Sequence, residues 1–287
     1  MQLLSEDQGT MAYKLLALDV DGTLVRRDGS IHAEDLSAIQ RLRASGVPVT
    51  IATGRLYSGT RDVARRAGIS GPIACVDGSL IADAEGGEHH YLQTLSGAAA
   101  ASLQRIAAGN LAASFLFAQD MIIHDNAGDA FAPYVSTWSP SIERVERVAR
   151  HHSWEHAQGV MALVMVGLEG HIRDAHTEIE GGLGEAAFVT SFPVSRKQDV
   201  YGLVVRAAGP TKGTAVTWLA EHHGCTPSDV VVVGDWLNDV PMFRTAGRSF
   251  AMVQAPEAVK DEATDRLEAH GDVGGGVAEA IRRAFGV

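Results

Sequence analysis

The chain has 287 residues, 46% of them hydrophobic and 21% charged, which suits a globular protein with one large domain or two modest ones. Its formal net charge of -11 repels polyphosphate backbones and no local basic stripe offsets it, so nucleic-acid binding is not expected. No apolar run approaches the ~20 residues of a membrane helix. Two cysteines far apart in sequence, Cys75 and Cys225, argue against a disulfide framework and fit a reducing, cytoplasmic setting.

Residues 1–11 carry acidic and polar groups without a signal-peptide pattern, and are expected to be an extension of little structural role. Residues 15–20 are apolar except for Asp19 and read as a strand that ends at Gly22. Residues 33–45 read as a helix with Leu36, Ile39 and Leu42 on one face and Gly46 as its stop. Residues 47–52 form a second buried strand, followed by Thr53-Gly54 and a helix through Ala67, and residues 73–76 form a third. Near the other end, residues 230–233 are four valines in a row; a helix from about Val240 and a short strand over 249–253 follow. Continuous β-branched runs alternating with helices predict an α/β fold whose doubly wound parallel sheet is buried on both faces.

The middle of the chain has a different texture. Residues 114–118 and 121–124 flank the polar pair Gln119-Asp120 and predict a hairpin. Residues 160–166, 187–192 and 201–205 read as further strands, and 97–108 and 171–181 as helices. This predicts an α+β block over 84–208, set between core segments 12–83 and 209–287.

Four clusters carry chemistry. Asp19-Val20-Asp21-Gly22-Thr23-Leu24 leaves an apolar strand with two carboxylates, where open α/β sheets place their ligands, and Gly22 permits a tight turn with bare amides. Thr53-Gly54-Arg55 offers a hydroxyl and amides near a helix start, an anion site whose ordinary alternative is a helix N-cap. Lys212-Gly213 opens a helix expected to begin near Thr214, where a lysine is misplaced for the helix dipole unless it meets an anion; the alternative is a solvated surface lysine. Gly234-Asp235-Trp236-Leu237-Asn238-Asp239 leaves the valine strand with hard oxygen ligands suited to Mg²⁺.

Together these segments resemble the haloacid dehalogenase-like superfamily in its Cof-like subgroup of phosphatases: DVDGTL at 19–24, ATGR at 52–55, KG at 212–213 and GDWLND at 234–239 occur in the family's order. The resemblance covers 12–83 and 209–287, and the insertion matches the subgroup's α/β cap in position and size. It implies a Mg²⁺-dependent phosphatase of small phosphorylated metabolites such as sugar phosphates. In that reading Asp19 attacks phosphorus to give an aspartyl-phosphate, and Asp21 protonates the leaving alkoxide and then deprotonates the attacking water. Asp19, the Asp21 carbonyl and Asp235 hold the metal with Asp239 or Asn238 in support. Gly22, Thr53, Gly54, Lys212 and Asn238 hold phosphate oxygens, and Lys212 also neutralises developing charge.

Two departures from the pattern stand out. The subgroup usually shows Asn-Gly where this chain has Asp77-Gly78, an added negative charge that bears on substrate choice. Trp236 is bulkier than the small residue expected beside the metal loop. Arg55 is either a substrate grip or a structural arginine. Most of the chain's twelve histidines lie in the insert, but without zinc-ligand spacing, and Phe115, Phe117 and Trp138 are expected in the core of that block. A phosphomutase is one alternative function, disfavoured because the insert holds more Asp and Glu than Lys and Arg. A non-catalytic phosphometabolite-binding regulator is the other, disfavoured by the retention of Asp21.

Overall fold

The computed structural model describes residues 13–194 and 199–287. The expected extension, 1–11, lies outside them. The chain divides into two compact units, one of the described residues up to Thr50 with Val216–Val287, the other Ile51–Ala215.

The first unit is built on a five-stranded sheet in the order Asp265–Arg266, Arg248–Ala251, Val230–Gly234, Leu15–Leu18, Val49–Ile51. The three pairings from Asp265–Arg266 across to Leu15–Leu18 are parallel, with Leu18 opposite Val233. Leu15, Leu16, Ala17, Leu18 and Val230 to Val233 are all fully buried. That is why these strands are unbroken apolar runs: a parallel strand covered on both faces has no polar side to alternate with.

The helix expected over 33–45 runs Ala33–Ala44, but its buried face is Asp35, Ala38, Ile39 and Leu42, and Leu36 is only half-buried. The reason is a long-range cap. The Asp35 carboxylate accepts from the N–H groups of Gly275 at 2.9 Å and Ala278 at 2.8 Å, at the start of the C-terminal helix Gly276–Phe285, which packs against Ala33–Ala44. Gly275, the N-cap residue of that helix, offers no side chain, so the acceptor comes from another helix. Burial pushes the Asp35 carboxyl up, against the two backbone hydrogen bonds. Asp35→Ala is therefore expected to cost about 3 kcal/mol of unfolding free energy by leaving two helix N-terminal donors unmet. Urea unfolding followed by circular dichroism measures it; a loss below about 0.5 kcal/mol would refute this account.

The second unit holds two sheets. Pro72–Cys75, Leu80–Asp83 and His89–Leu92 form an antiparallel three-stranded sheet. The predicted third strand of the parallel core thus sits in a sheet of its own, and meets Ala52 only through a parallel bridge to Ala74. The larger sheet runs Ala187–Pro193, Val200–Ala207, Ala162–Leu168, Ala113–Ala118, Met121–His124, Ile142–Arg144. The helices Gly97–Gly109 and Glu169–Leu183 supply Leu103, Ile106, Ile172 and Ile179 to a core shared with Leu116, Leu163, Met165 and Leu203. This sheet and both helices lie within the segment 84–208.

The hairpin expected at Gln119-Asp120 is present, with φ of 50° and 60° at the two turn residues. Positive φ at both is the two-residue turn whose twist matches that of its strands. Its tip has a second use, because the Asp120 carboxylate accepts from the N–H of Ser58, in the first turn of the helix Tyr57–Arg66. Phe115 and Phe117 are buried in this unit, as expected, and Trp138 meets Phe117 edge-on at 5.9 Å. Both cysteines are free and buried, and burial pushes the Cys75 thiol up to about 12. No helix among the described residues is long and apolar enough to cross a membrane.

Candidate active site

In the first unit, the strand Leu15–Leu18 stops one residue before Asp19, whose N–H donates to the Val233 carbonyl at 3.0 Å. That bond aligns the exits of the two central strands, so Asp19 and the loop after Gly234 emerge side by side. The chain then turns tightly: the N–H groups of Leu24 and Val25 both reach the Val20 carbonyl, and that of Gly22 reaches Val25. Gly22 takes φ +77°, and a Cβ there would run into the Asp235 carboxylate. Two constraints, backbone sign and space, thus require glycine at this position. Asp21 sits half-buried in the same turn.

Carboxylate oxygens of Asp19, Asp235 and Asp239 lie within 4.8 Å of one another, the group of metal-ligand type found among the described residues. Asp19 is 5% exposed and Asp239 is fully buried. Asp239 has a second task. Its Oδ2 accepts from the N–H groups of Asp235 at 2.8 Å and Trp236 at 2.9 Å, which folds the loop back on itself. Three converging carboxylates with little solvent repel one another strongly unless a cation joins them, and an all-oxygen set suits a hard divalent ion. The residues fit Mg²⁺. Asn238 is half-buried in the same short turn, Leu237–Asp239, and Trp236 is exposed, its side chain outside the group of three carboxylates.

One residue in this arrangement carries no local sequence signal. Gln254 Nε2 donates to the Gly22 carbonyl at 2.7 Å and to Asp235 Oδ2 at 3.0 Å, and its Oε1 accepts from the Gly271 N–H at 2.9 Å. It ties the two acidic loops together from behind. A glutamine after a short strand has no pattern that distinguishes it, and only its partners reveal the role.

The second unit carries Thr53, Gly54 and Lys212. Thr53 is 1% exposed; its N–H donates to the Ala74 carbonyl at 2.9 Å and its hydroxyl accepts from the Arg55 N–H at 3.2 Å. It is not a helix cap, because the helix Tyr57–Arg66 starts four residues later with Leu56 as its N-cap residue. The Arg55 guanidinium donates to the Gly59 carbonyl at 3.2 Å, a bond that braces the turn. Lys212 is the first residue of the helix Lys212–His222, two residues earlier than the sequence suggested, and is 1% exposed. That removes the surface-lysine alternative. An ammonium buried at a helix N-terminus opposes the dipole and needs negative charge nearby.

Asp77, the residue that departs from the expected Asn-Gly, meets a cation: Arg206 Nε lies 3.6 Å from Asp77 Oδ2. Burial pushes the Arg206 guanidinium down, and Asp77 pulls it back up. The added negative charge read from the sequence is therefore offset within the unit.

Residues 16–281 match the haloacid dehalogenase-like hydrolase family, and the chain belongs to it. An HMP-PP phosphatase of Yersinia pestis (strain Pestoides F) is 26% identical over 262 residues, covering 87% of each chain. Among solved structures, a haloacid dehalogenase-like hydrolase from Bacteroides thetaiotaomicron matches with a TM-score of 0.81 and 26% identity, covering 95% of this chain and all of the other. The subclass IIB sugar phosphatase BT4131 matches with a TM-score of 0.74 and 21% identity over 95% of this chain and 99% of its own, a likeness of fold.

Proposed function

We propose that the protein is a Mg²⁺-dependent phosphatase of small phosphorylated metabolites, such as sugar phosphates, working through an aspartyl-phosphate on Asp19. The observation that carries the metal and the nucleophile is the convergence of Asp19, Asp235 and Asp239 within 4.8 Å. The likeness to an HMP-PP phosphatase and to a sugar phosphatase supports a small phosphorylated substrate.

In this reading an Asp19 carboxylate oxygen attacks phosphorus and the alcohol leaves, taking a proton from Asp21. Asp21, now a base, removes a proton from water, which displaces Asp19 and releases inorganic phosphate. Asp19, the Asp21 carbonyl, Asp235 and Asp239 would hold Mg²⁺, which screens the repulsion between attacking carboxylate and phosphate oxygens. Gly22, Thr53, Gly54, Lys212 and Asn238 hold those oxygens, Lys212 supplying positive charge as charge develops on the leaving group. Residues 84–208 act as the cap that selects the substrate.

Gln254 does not enter the chemistry, but it orients one proposed metal ligand. Gln254→Leu is expected to weaken Mg²⁺ binding 10- to 100-fold, the usual size of such an outer effect, with kcat at saturating Mg²⁺ changed much less. Calorimetric Mg²⁺ titration of the two proteins reads this directly; equal affinities would remove the role.

A panel of sugar phosphates, nucleotides and a generic aryl phosphate, assayed for phosphate release with Mg²⁺, tests the function as a whole. Hydrolysis with selectivity for a few members is expected. Failure to release phosphate from any of them, or transfer of the phosphoryl group to a second alcohol, would overturn it.

A further inference from the structure

Residues Val76, Asp77 and Gly78 have φ of 48°, 52° and 93°, three left-handed conformations in succession. For a β-branched valine and an aspartate this costs about 1–3 kcal/mol each, and it persists only where the surroundings over-determine it. Those surroundings belong to the proposed anion site. The Val76 N–H donates to the Arg55 carbonyl and the Asp77 N–H to the Thr53 carbonyl, both at 2.9 Å. On the other side, a Cβ at Gly78 would lie 2.7 Å from the Thr211 carbonyl, so only glycine lets the segment approach the start of the Lys212 helix. The strained segment is thus wedged between the turn that bears Thr53 and the turn that bears Lys212.

Arg206 closes the arrangement. It is 3% exposed, its Nη1 donates to the Pro210 carbonyl, and its guanidinium lies 4.3 Å from the centre of the Phe188 ring. It therefore touches both Asp77 and the backbone two residues before Lys212. The backbone of Asp77 is one hydrogen bond from that of Thr53, and an unneutralised carboxylate on that residue would repel a phosphate group held by Thr53 and Lys212.

We propose that Asp77 and Arg206 form a charge-compensated latch that positions Thr53 and Lys212 and keeps the Asp77 carboxylate from opposing the bound phosphate; this rests on the reading of Thr53, Gly54 and Lys212 as phosphate-binding groups. Both are positioning residues. A purely mechanical brace would be damaged by loss of either partner. The latch predicts opposite signs, because removing Arg206 exposes a negative charge to the anion, whereas removing the charge of Asp77 does not.

The test is calorimetric titration of the full-length protein in Mg²⁺ buffer with inorganic phosphate. Arg206→Met is expected to weaken phosphate binding about tenfold, ~1.4 kcal/mol. Asp77→Asn is expected to bind phosphate at least as tightly as the unaltered protein, and the double variant to return to within about threefold of it. If both single variants weaken binding and the double variant adds their losses, or if neither changes it, the latch is wrong. Should Arg206→Met fail to fold by circular dichroism, Arg206→Gln and Asp77→Asn decide the matter: a tenfold loss in Arg206→Gln with none in Asp77→Asn supports the latch, and a tenfold loss in Asp77→Asn, or no loss in either, overturns it. Lys212→Ala separates the two levels. Phosphate binding lost there but unmoved in the latch variants leaves the site standing and removes the latch; binding unchanged in Lys212→Ala removes the site reading and the latch with it.

Discussion

Asp19→Asn is expected to lower kcat by at least a thousandfold, about 4 kcal/mol of barrier, while the protein stays folded. The amide has nearly the shape of the carboxylate, and the backbone bond that holds position 19, its N–H to the Val233 carbonyl, does not involve the side chain. What disappears is the anionic oxygen that would attack phosphorus. Steady-state phosphate release, together with an unchanged circular dichroism spectrum, measures the effect. A variant retaining more than about a tenth of the activity, a loss of only ~1.4 kcal/mol, would mean that another group is the nucleophile. Trapping labelled phosphate on the unaltered chain and not on the variant would place the covalent step at the same residue.

The second large effect concerns the metal. Excess chelator should stop turnover, and added Mg²⁺ should restore it. Asp235→Ala should raise the Mg²⁺ concentration needed for half-restoration by about a hundredfold or more, exceeding the 10- to 100-fold expected for an outer partner such as Gln254. Two features of this chain bear on the size. Asp235 meets Asp19 and Asp239 in one cluster, and its Oδ2 also accepts from Gln254 Nε2 at 3.0 Å, so its orientation is set before any ion arrives. Direct Mg²⁺ titration, independent of activity, is the measurement. Full turnover in excess chelator, or unaltered Mg²⁺ affinity in Asp235→Ala, would sink the assignment.

Asp239 deserves a different expectation from Asp235, although both lie in the cluster. Its Oδ2 already accepts from two backbone N–H groups of its own loop, and Gly234 is packed so closely against it that a Cβ there would collide with it. Truncating Asp239 would disturb the loop as well as the donor set, so its loss speaks less cleanly about metal binding than that of Asp235.

Much of the molecule was legible from residues close together in sequence. The valine run at 230–233, the alternation of apolar runs with helices and the polar pair Gln119-Asp120 each report a local backbone preference, and each element stands where it was read. The four motif segments were legible for the same reason: a strand exit, a glycine turn and a helix start are written in at most six consecutive residues. Lys212 was visible as a motif residue, but its burial was not, because burial depends on what packs over it.

Every pairing between distant parts of the chain, by contrast, is set in three dimensions and leaves no local pattern. Asp35, which no sequence pattern singled out, caps a helix at Ala278, 243 residues away. Gln254 reaches Gly22 across 232 residues, and Asp77 meets Arg206 through a left-handed segment that no propensity favours for valine or aspartate. Residues 73–76 had the composition of a core strand, yet the strand Pro72–Cys75 pairs along one edge with Leu80–Asp83 in an antiparallel sheet and touches the parallel run only at the Ala52–Ala74 bridge, while Val76 turns left-handed. Local pattern specifies backbone state and the type of chemistry a residue can offer. Which carboxylate meets a cation, a backbone N–H or another carboxylate is set by the sheet order and by the packing of helices against it, where the decisive energies come from contacts between residues that sequence proximity does not relate.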